Sequence, residues 1–319
     1  MSVERLTFAC MQPFLESILA DPGTGGRLQW DAEKHHWLNP LSFVAYPVAE
    51  GAIDLRPQLP FVQPRQPELH RRYGTSFEYP EHYQHDAEVF DYTEQPADAA
   101  TRHENRRLHQ RILEALPKKA ELILDVGCGN AWLAEALLPK GKTVLSMDIS
   151  NVNPQKAIQR FPSERHIGLV ADVYHLPIQP RSLDAIVASE IMEHVPDPKL
   201  FIEKLTAALK PGGVLVITTP YDEQRQHHLC VHCNRPTPSH AHLHSFSEAN
   251  IGEFIPESIG YETRAFHNTY LLRLKSHLIF RWLPHWAWKV KDAAWNNLFG
   301  KPTRFLIRLT GPDEQKPLA

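Results

Sequence analysis

The sequence predicts an α/β protein built on a doubly wound sheet, and three observations carry that prediction. Residues 121–131 read Glu-Leu-Ile-Leu-Asp-Val-Gly-Cys-Gly-Asn-Ala: an apolar run runs into Asp125 and then Gly127 and Gly129. A helical pattern over residues 131–138 follows at once. A buried strand, a tight turn and a helix N-terminus in that order let backbone approach a nucleotide-like ligand closely. The second observation is an apolar run over residues 143–149 that carries Asp148 at its end, where a carboxylate can accept hydrogen bonds from ribose hydroxyls. The third is recurrence. Residues 167–171 end in Asp172, residues 183–189 begin Leu-Asp and lead into Glu190, and Leu209-Lys210-Pro211-Gly212-Gly213 turns into a fifth apolar run over 214–218.

Each element then follows in order. The turn lacks the Lys and Ser/Thr of a phosphate-cradling loop, and Trp132 stands where a pyrophosphate turn needs a third glycine. Before it, Leu108, Ile112, Leu113 and Leu116 recur at helical spacing, and Pro117 stops the helix. After the fifth strand, residues 247–259 predict a helix, with Ser247 as its N-cap and Gly260 as its terminator. Residues 261–267 predict a sixth strand. Residues 305–309 predict a seventh, antiparallel beside the fifth.

This string, over roughly residues 104–265, resembles the class I S-adenosylmethionine-dependent methyltransferases. The resemblance implies a seven-stranded, Rossmann-like methyltransferase sheet spanning residues 101–319. It also implies donor contacts: Asp125, Gly127 and Gly129 around the amino-acid portion, Asp148 on the ribose, and Asp172 with Val173 framing the adenine. The N-terminal part, residues 1–60, is predicted as a small β-rich, ribbon-like lobe. Its segment Ala-Tyr-Pro-Val-Ala-Glu-Gly-Ala-Ile-Asp-Leu resembles the zinc-ribbon activator subunits of RNA (including tRNA) and protein methyltransferases, with Asp21 where they place a turn cysteine. An unrelated β-rich extension is the other reading. Residues 61–100, rich in Pro, His and Tyr, read as a connector.

The strand-four tip, Glu190-Ile191-Met192-Glu193-His194, is where chemistry is expected. It is similar to the tip in the O-methyltransferases of ubiquinone biosynthesis. It is also similar to that of 2′-O-methyltransferases acting on small RNAs, where a second downstream histidine completes a metal site. Two carboxylates and an imidazole could hold a magnesium-like cation that lowers a hydroxyl pKa. A histidine base, or a structural cap, is the alternative for His194. A second cluster, residues 227–244, holds six histidines with Cys230 and Cys233. It predicts a structural zinc knuckle with Cys230, Cys233, His240 and His242 as ligands. His242 is equally placed to join the strand-four tip.

Composition narrows the function. A formal charge of −3 argues against nucleic acid as a partner, and 42% hydrophobic residues can fill a core. Four cysteines make no disulfide framework, no run is long enough to span a membrane, and Met-Ser-Val-Glu-Arg is not a signal peptide, so a cytoplasmic protein is expected. An insertion over residues 268–304 carries four tryptophans among Lys and Arg. Its readings are a helical lid, a peripheral membrane surface and, least, base stacking. The function expected is O-methylation of a lipid-like or glycan-type small molecule. RNA methylation is the alternative, and a zinc-binding adaptor with a vestigial fold is a third.

Overall fold

The computed structural model describes residues 12–57, 78–231, 234–268, 270 and 274–311. A helix over residues 12–18 (α1) precedes four short strands, β1 (Gln29–Asp31), β2 (His36–Leu38), β3 (Ala45–Ala49) and β4 (Ala52–Asp54). Helices α2 (Tyr79–Val89) and α3 (Ala99–Ala115) come next. The chain then alternates: β5 (Leu122–Val126), α4 (Trp132–Leu137), β6 (Thr143–Asp148), α5 (Val152–Arg160), β7 (His166–Val170), β8 (Leu183–Ser189), α6 (Pro198–Ala208) and β9 (Leu209–Pro220). A small hairpin, β10 (His227–Leu229) with β11 (Pro236–Pro238), stands apart. Strand β12 (Tyr261–Phe266), helices α7 (His277–Phe280) and α8 (His285–Phe299), and β13 (Arg304–Thr310) close the order.

One sheet runs β1-β2-β3-β4-β7-β6-β5-β8-β9-β13-β12. Its central strands β7, β6, β5, β8 and β9 are parallel, and β13 lies antiparallel between β9 and β12. Every residue of β5 and β7 is buried, as expected for parallel strands covered on both faces by helices. The predicted seven-stranded α/β sheet is therefore present, and the N-terminal strands extend it. Strand β4 pairs parallel with β7, Ala52 opposite Gly168. A Cβ on Gly168 would lie 3.1 Å from that of Ala52 and 2.9 Å from Ile158, so glycine allows β4 and α5 to pack there.

Asp21 organises the lobe. It accepts hydrogen bonds from the Gly23 and Thr24 amides (2.9 and 2.7 Å) and from the Tyr46 hydroxyl (2.9 Å). At the N-terminal ends of the central strands, Asp184 accepts from the Glu121 and Leu122 amides and pairs with Lys210, which pins β5 to β8.

One predicted element is corrected. Residues 247–259 form turns and a single 3-10 turn, Ile251–Glu253, rather than an α-helix. Pro256 disfavours the helical region at Ile255 and removes a donor, which leaves too short a stretch to nucleate. The insertion between β12 and β13 is helical. Trp288 alone of its four tryptophans is fully buried, between the Arg107 and Arg111 guanidinium groups (5.4 and 5.6 Å) and the edge of His267. Trp282 and Trp286 are 80% and 68% exposed. Among the described residues, no helix is long and apolar enough to cross a membrane.

Candidate functional site

The parallel strands deliver the sequence-predicted residues to one edge, at their C-terminal ends. Strand β5 ends in Asp125 and turns at Gly127 and Gly129, whose φ values are +70° and +44°. A Cβ on Gly127 would fall 2.2 Å from Ile191, so this turn can pass beneath the tip that follows β8 (the fourth strand predicted from the sequence, hence the strand-four tip) only without a side chain. The Gly127 and Cys128 amides donate to the Met147 carbonyl, which ties the turn to the end of β6. Asp125 is buried, and its Oδ2 has no hydrogen-bond partner among the described residues. Burial first, and Asp148 second, push its carboxyl up to about 7. An acid held this way gains from a cationic group brought beside it.

Asp148 accepts from the Ser150 amide and hydroxyl (2.9 and 3.0 Å) and from Asn153 Nδ2 (3.0 Å), which fixes its carboxylate at the end of β6. Burial raises its pKa against those hydrogen bonds. Asp172 is fully buried and engaged with protein: Tyr79 donates to it (2.7 Å), as does the Tyr174 amide (3.1 Å), and His175 Nδ1 lies 3.0 Å away. It anchors α2 across the strand ends. Val173 begins the short 3-10 turn that Asp172 caps.

The strand-four tip is strained and crowded. Glu190 adopts φ +57°, unusual for a side chain of its size, and its Oε2 pairs with Arg304 Nε at 3.2 Å. Glu193 is buried, with Oε1 4.0 Å from His194 Nε2. The returning loop then brings in His242. Its Leu243 and His244 amides donate to the Glu193 carbonyl (2.7 and 3.2 Å), and the His242 ring packs edge-on against His194 at 4.8 Å. Ligand atoms of Glu193, His194 and His242 all lie within 4.8 Å of one another.

Electrostatics at this cluster favour a cation. Burial, and then Glu190, push the Glu193 carboxyl well up, and burial likewise raises Glu190 against the pull of Arg304. Burial and His242 hold His194 down to about 4, so its imidazole is neutral, the form that ligates metal or accepts a proton. Glu190 Oε1, Glu193 Oε2 and His194 Nδ1 are buried without hydrogen-bond partners among the described residues. Of these residues, Glu193 and His194 share with His242 a spacing that fits a divalent cation.

Glu190, which pairs with Arg304, and Cys230 and His240 fall outside the group that comes within metal-holding distance, and Cys233 lies outside the described residues. Cys230 sits at the end of the β10–β11 hairpin, its amide donating to the Arg235 carbonyl. Sequence reasoning missed four residues here. Glu223 holds His242 Nδ1 at 2.5 Å, Arg304 pairs with Glu190, Tyr83 packs edge-on to His194 at 5.9 Å, and Tyr79 binds Asp172. Only Glu223, at the end of the fifth strand, carried a local signal. The others arrive from remote segments.

Residues 97–265, more than half of the chain, match the family described as a methyltransferase domain. The chain belongs to that family. About a third of the chain is also similar to curated proteins. The ubiquinone biosynthesis O-methyltransferase of Idiomarina loihiensis is 36% identical over 100 residues, covering 30% of this chain and 41% of that protein. The ubiquinone biosynthesis O-methyltransferase of Xylella fastidiosa is 34% identical over 113 residues, covering 34% and 45%. The chain thus matches less than half the length of either relative. Among solved structures, an S-adenosylmethionine-dependent methyltransferase from Mesorhizobium loti superposes with a TM-score of 0.48 at 17% identity, covering 65% of this chain and 99% of that one.

Proposed function

We propose that this protein transfers a methyl group from S-adenosylmethionine to a hydroxyl of a lipid-like or quinone-like small molecule, assisted by a divalent cation at the strand-four tip. The observation that carries the reading is the convergence of Glu193, His194 and His242 at the tip whose Ile191 lies against the Gly127 turn. The relatives' names, ubiquinone biosynthesis O-methyltransferases, support an oxygen acceptor.

The donor fits the residues present. Gly129 leaves the turn open, the unpartnered Asp125 carboxyl suits an ammonium, and Asp148 suits ribose hydroxyls. In the reaction the acceptor oxygen forms a bond to the methyl carbon as the carbon–sulfur bond breaks, and the acceptor proton leaves. A cation held by Glu193, His194 and His242 would supply Lewis acidity, making the acceptor hydroxyl more acidic. The chain's own part is positioning. Glu223 orients His242, and α2 shields the strand ends through Tyr79 and Tyr83; neutral His194 takes the proton only in the alternative reading without a cation.

Exhaustive chelation should abolish methyl transfer, and magnesium or manganese should restore it. Full activity after chelation, with Glu193→Gln near wild type, would leave a histidine base without metal. The RNA reading shares this cluster, since a downstream histidine joining Glu and His is what that resemblance implied. Incubating metabolite and RNA fractions separately with labelled donor distinguishes the two. For the N-terminal lobe, the ribbon shape without its metal is the reading that the Asp21 hydrogen-bond hub supports.

A further inference from the structure

Away from the strand tips, a cleft of about 660 Å³ opens between α3, the start of α4 and the insertion. Arg102, Arg106, Arg160 and Arg281 line it; Asn130, just after the glycine turn, borders it, whereas Gly127, Gly129 and the Glu-His cluster do not. One wall is flat: the His109 ring stacks on Trp132 at 3.8 Å with 5° between their planes. The volume is that of a small-molecule site.

The arginines are held but not neutralised. Arg102 donates to the Pro96 and Ala97 carbonyls (both 2.6 Å), Arg106 to the Arg281 carbonyl (3.0 Å), and Arg160 to the Thr93 carbonyl (3.3 Å). Among the described residues, none of the four makes an ion pair with a carboxylate, and Glu135 is the one acid lining the cleft. The next cavity holds Glu104 and Asp292, with His267 between them and the cleft edge at His103. Burial and the neighbouring Arg107, Arg106 and Lys291 hold His103 down to about 4, as expected where positive charge is in excess. The chain's net charge is −3, so a four-arginine cleft is not a reflection of overall composition. All four arginines are exposed; backbone carbonyls aim Arg102, Arg106 and Arg160 while leaving further donors of each fork available, and Arg281 lies over the Trp282 ring at 4.8 Å.

We propose that this cleft binds a phosphate-bearing ligand, a phosphomonoester or diphosphate, through Arg102, Arg106, Arg160 and Arg281, against the His109–Trp132 wall. Guanidinium forks match phosphoryl oxygens in pairs, which ammonium groups do not. The phosphate can belong to a soluble metabolite or to a lipid. Exposed Leu278, Ile279 and Trp282 flank Arg281, so an attached chain would find apolar surface at the mouth.

The test uses the full chain, free of added phosphate. Calorimetry with inorganic pyrophosphate reads the soluble source. Co-sedimentation with phosphatidylcholine vesicles, with and without phosphatidic acid, reads the lipid source. The Arg102→Gln/Arg106→Gln/Arg281→Gln variant should weaken whichever probe binds by about tenfold or more, the loss expected for charge-assisted pairs. The control Lys118→Gln/Lys119→Gln/Lys140→Gln, which removes as many charges elsewhere, should change it by no more than about twofold, as screened distant charges do. If the triple variant no longer unfolds cooperatively, Arg102→Gln and Arg160→Gln taken singly should each weaken binding by about threefold or more. Binding to neither probe, or equal losses in the arginine and lysine variants, would overturn the proposal.

Discussion

Asp125→Asn should strengthen the ligand-free fold while weakening the donor site, and the two effects have one cause. The carboxyl of Asp125 is fully buried, has an unpartnered oxygen and faces Asp148, so its pKa stands near 7 against an ordinary 3.8. The native protein therefore binds more protons than the unfolded chain between roughly pH 4 and pH 7. Its stability contribution is present below pH 4 and is lost as pH rises through 7. The full difference is on the order of 4 kcal/mol, a ceiling that solvent in the donor cleft reduces. We expect Asp125→Asn to raise stability at pH 8 by about 1–3 kcal/mol and to change it little at pH 4. Donor binding should move the other way, losing about 2 kcal/mol with the charge-assisted contact to its ammonium. Urea unfolding at pH 4, 6 and 8, with and without saturating S-adenosylhomocysteine, measures both. Equal destabilisation at every pH would show that Asp125 serves the fold alone, and unchanged donor affinity would remove it from the site.

Asp148→Ala should weaken S-adenosylmethionine by roughly 2–3 kcal/mol in calorimetry, because the ribose loses a carboxylate already oriented by Ser150 and Asn153. Glu193→Gln mimics the protonated acid and should shift metal-free stability by less than about 1 kcal/mol, yet reduce manganese affinity by about a hundredfold or more. A large stability loss with unchanged manganese binding would make Glu193 a structural cap. Trp288→Ala should destabilise by about 3–5 kcal/mol, since it empties the contact between the insertion and α3, whereas Trp282→Ala should cost less than about 0.5 kcal/mol. Denaturant titration compares them, and equal losses would refute the assigned packing.

Local pattern was enough to read the catalytic sheet in sequence. Strands β5 to β9 are apolar runs punctuated by Asp125, Asp148, Asp172 and Glu190, and that periodicity and those turn glycines are properties of adjacent residues. The same is true of α3, whose apolar spacing and following Pro117 mark it without any partner. The failure at residues 247–259 is of the opposite kind. Ser247 and Gly260 look like helix ends, but Pro256 and the docking of Phe246 and Ile251 into the core override them.

What the sequence left open was every choice that depends on chain return. His242 had two roles available because it lies near Cys230 in sequence and near His194 only in space. Hydrogen bonds from the loop amides to the Glu193 carbonyl place it at the tip. The same applies to Arg304 on Glu190, which needs β13 inserted beside β9, and to Tyr79 on Asp172, which needs α2 laid across the strand ends. The N-terminal strands, legible as a β-rich lobe, join the sheet only because Gly168 lets β4 approach β7. Residue spacing specifies which groups a strand end offers. Only packing, which sets distances between remote segments, decides which of them meet.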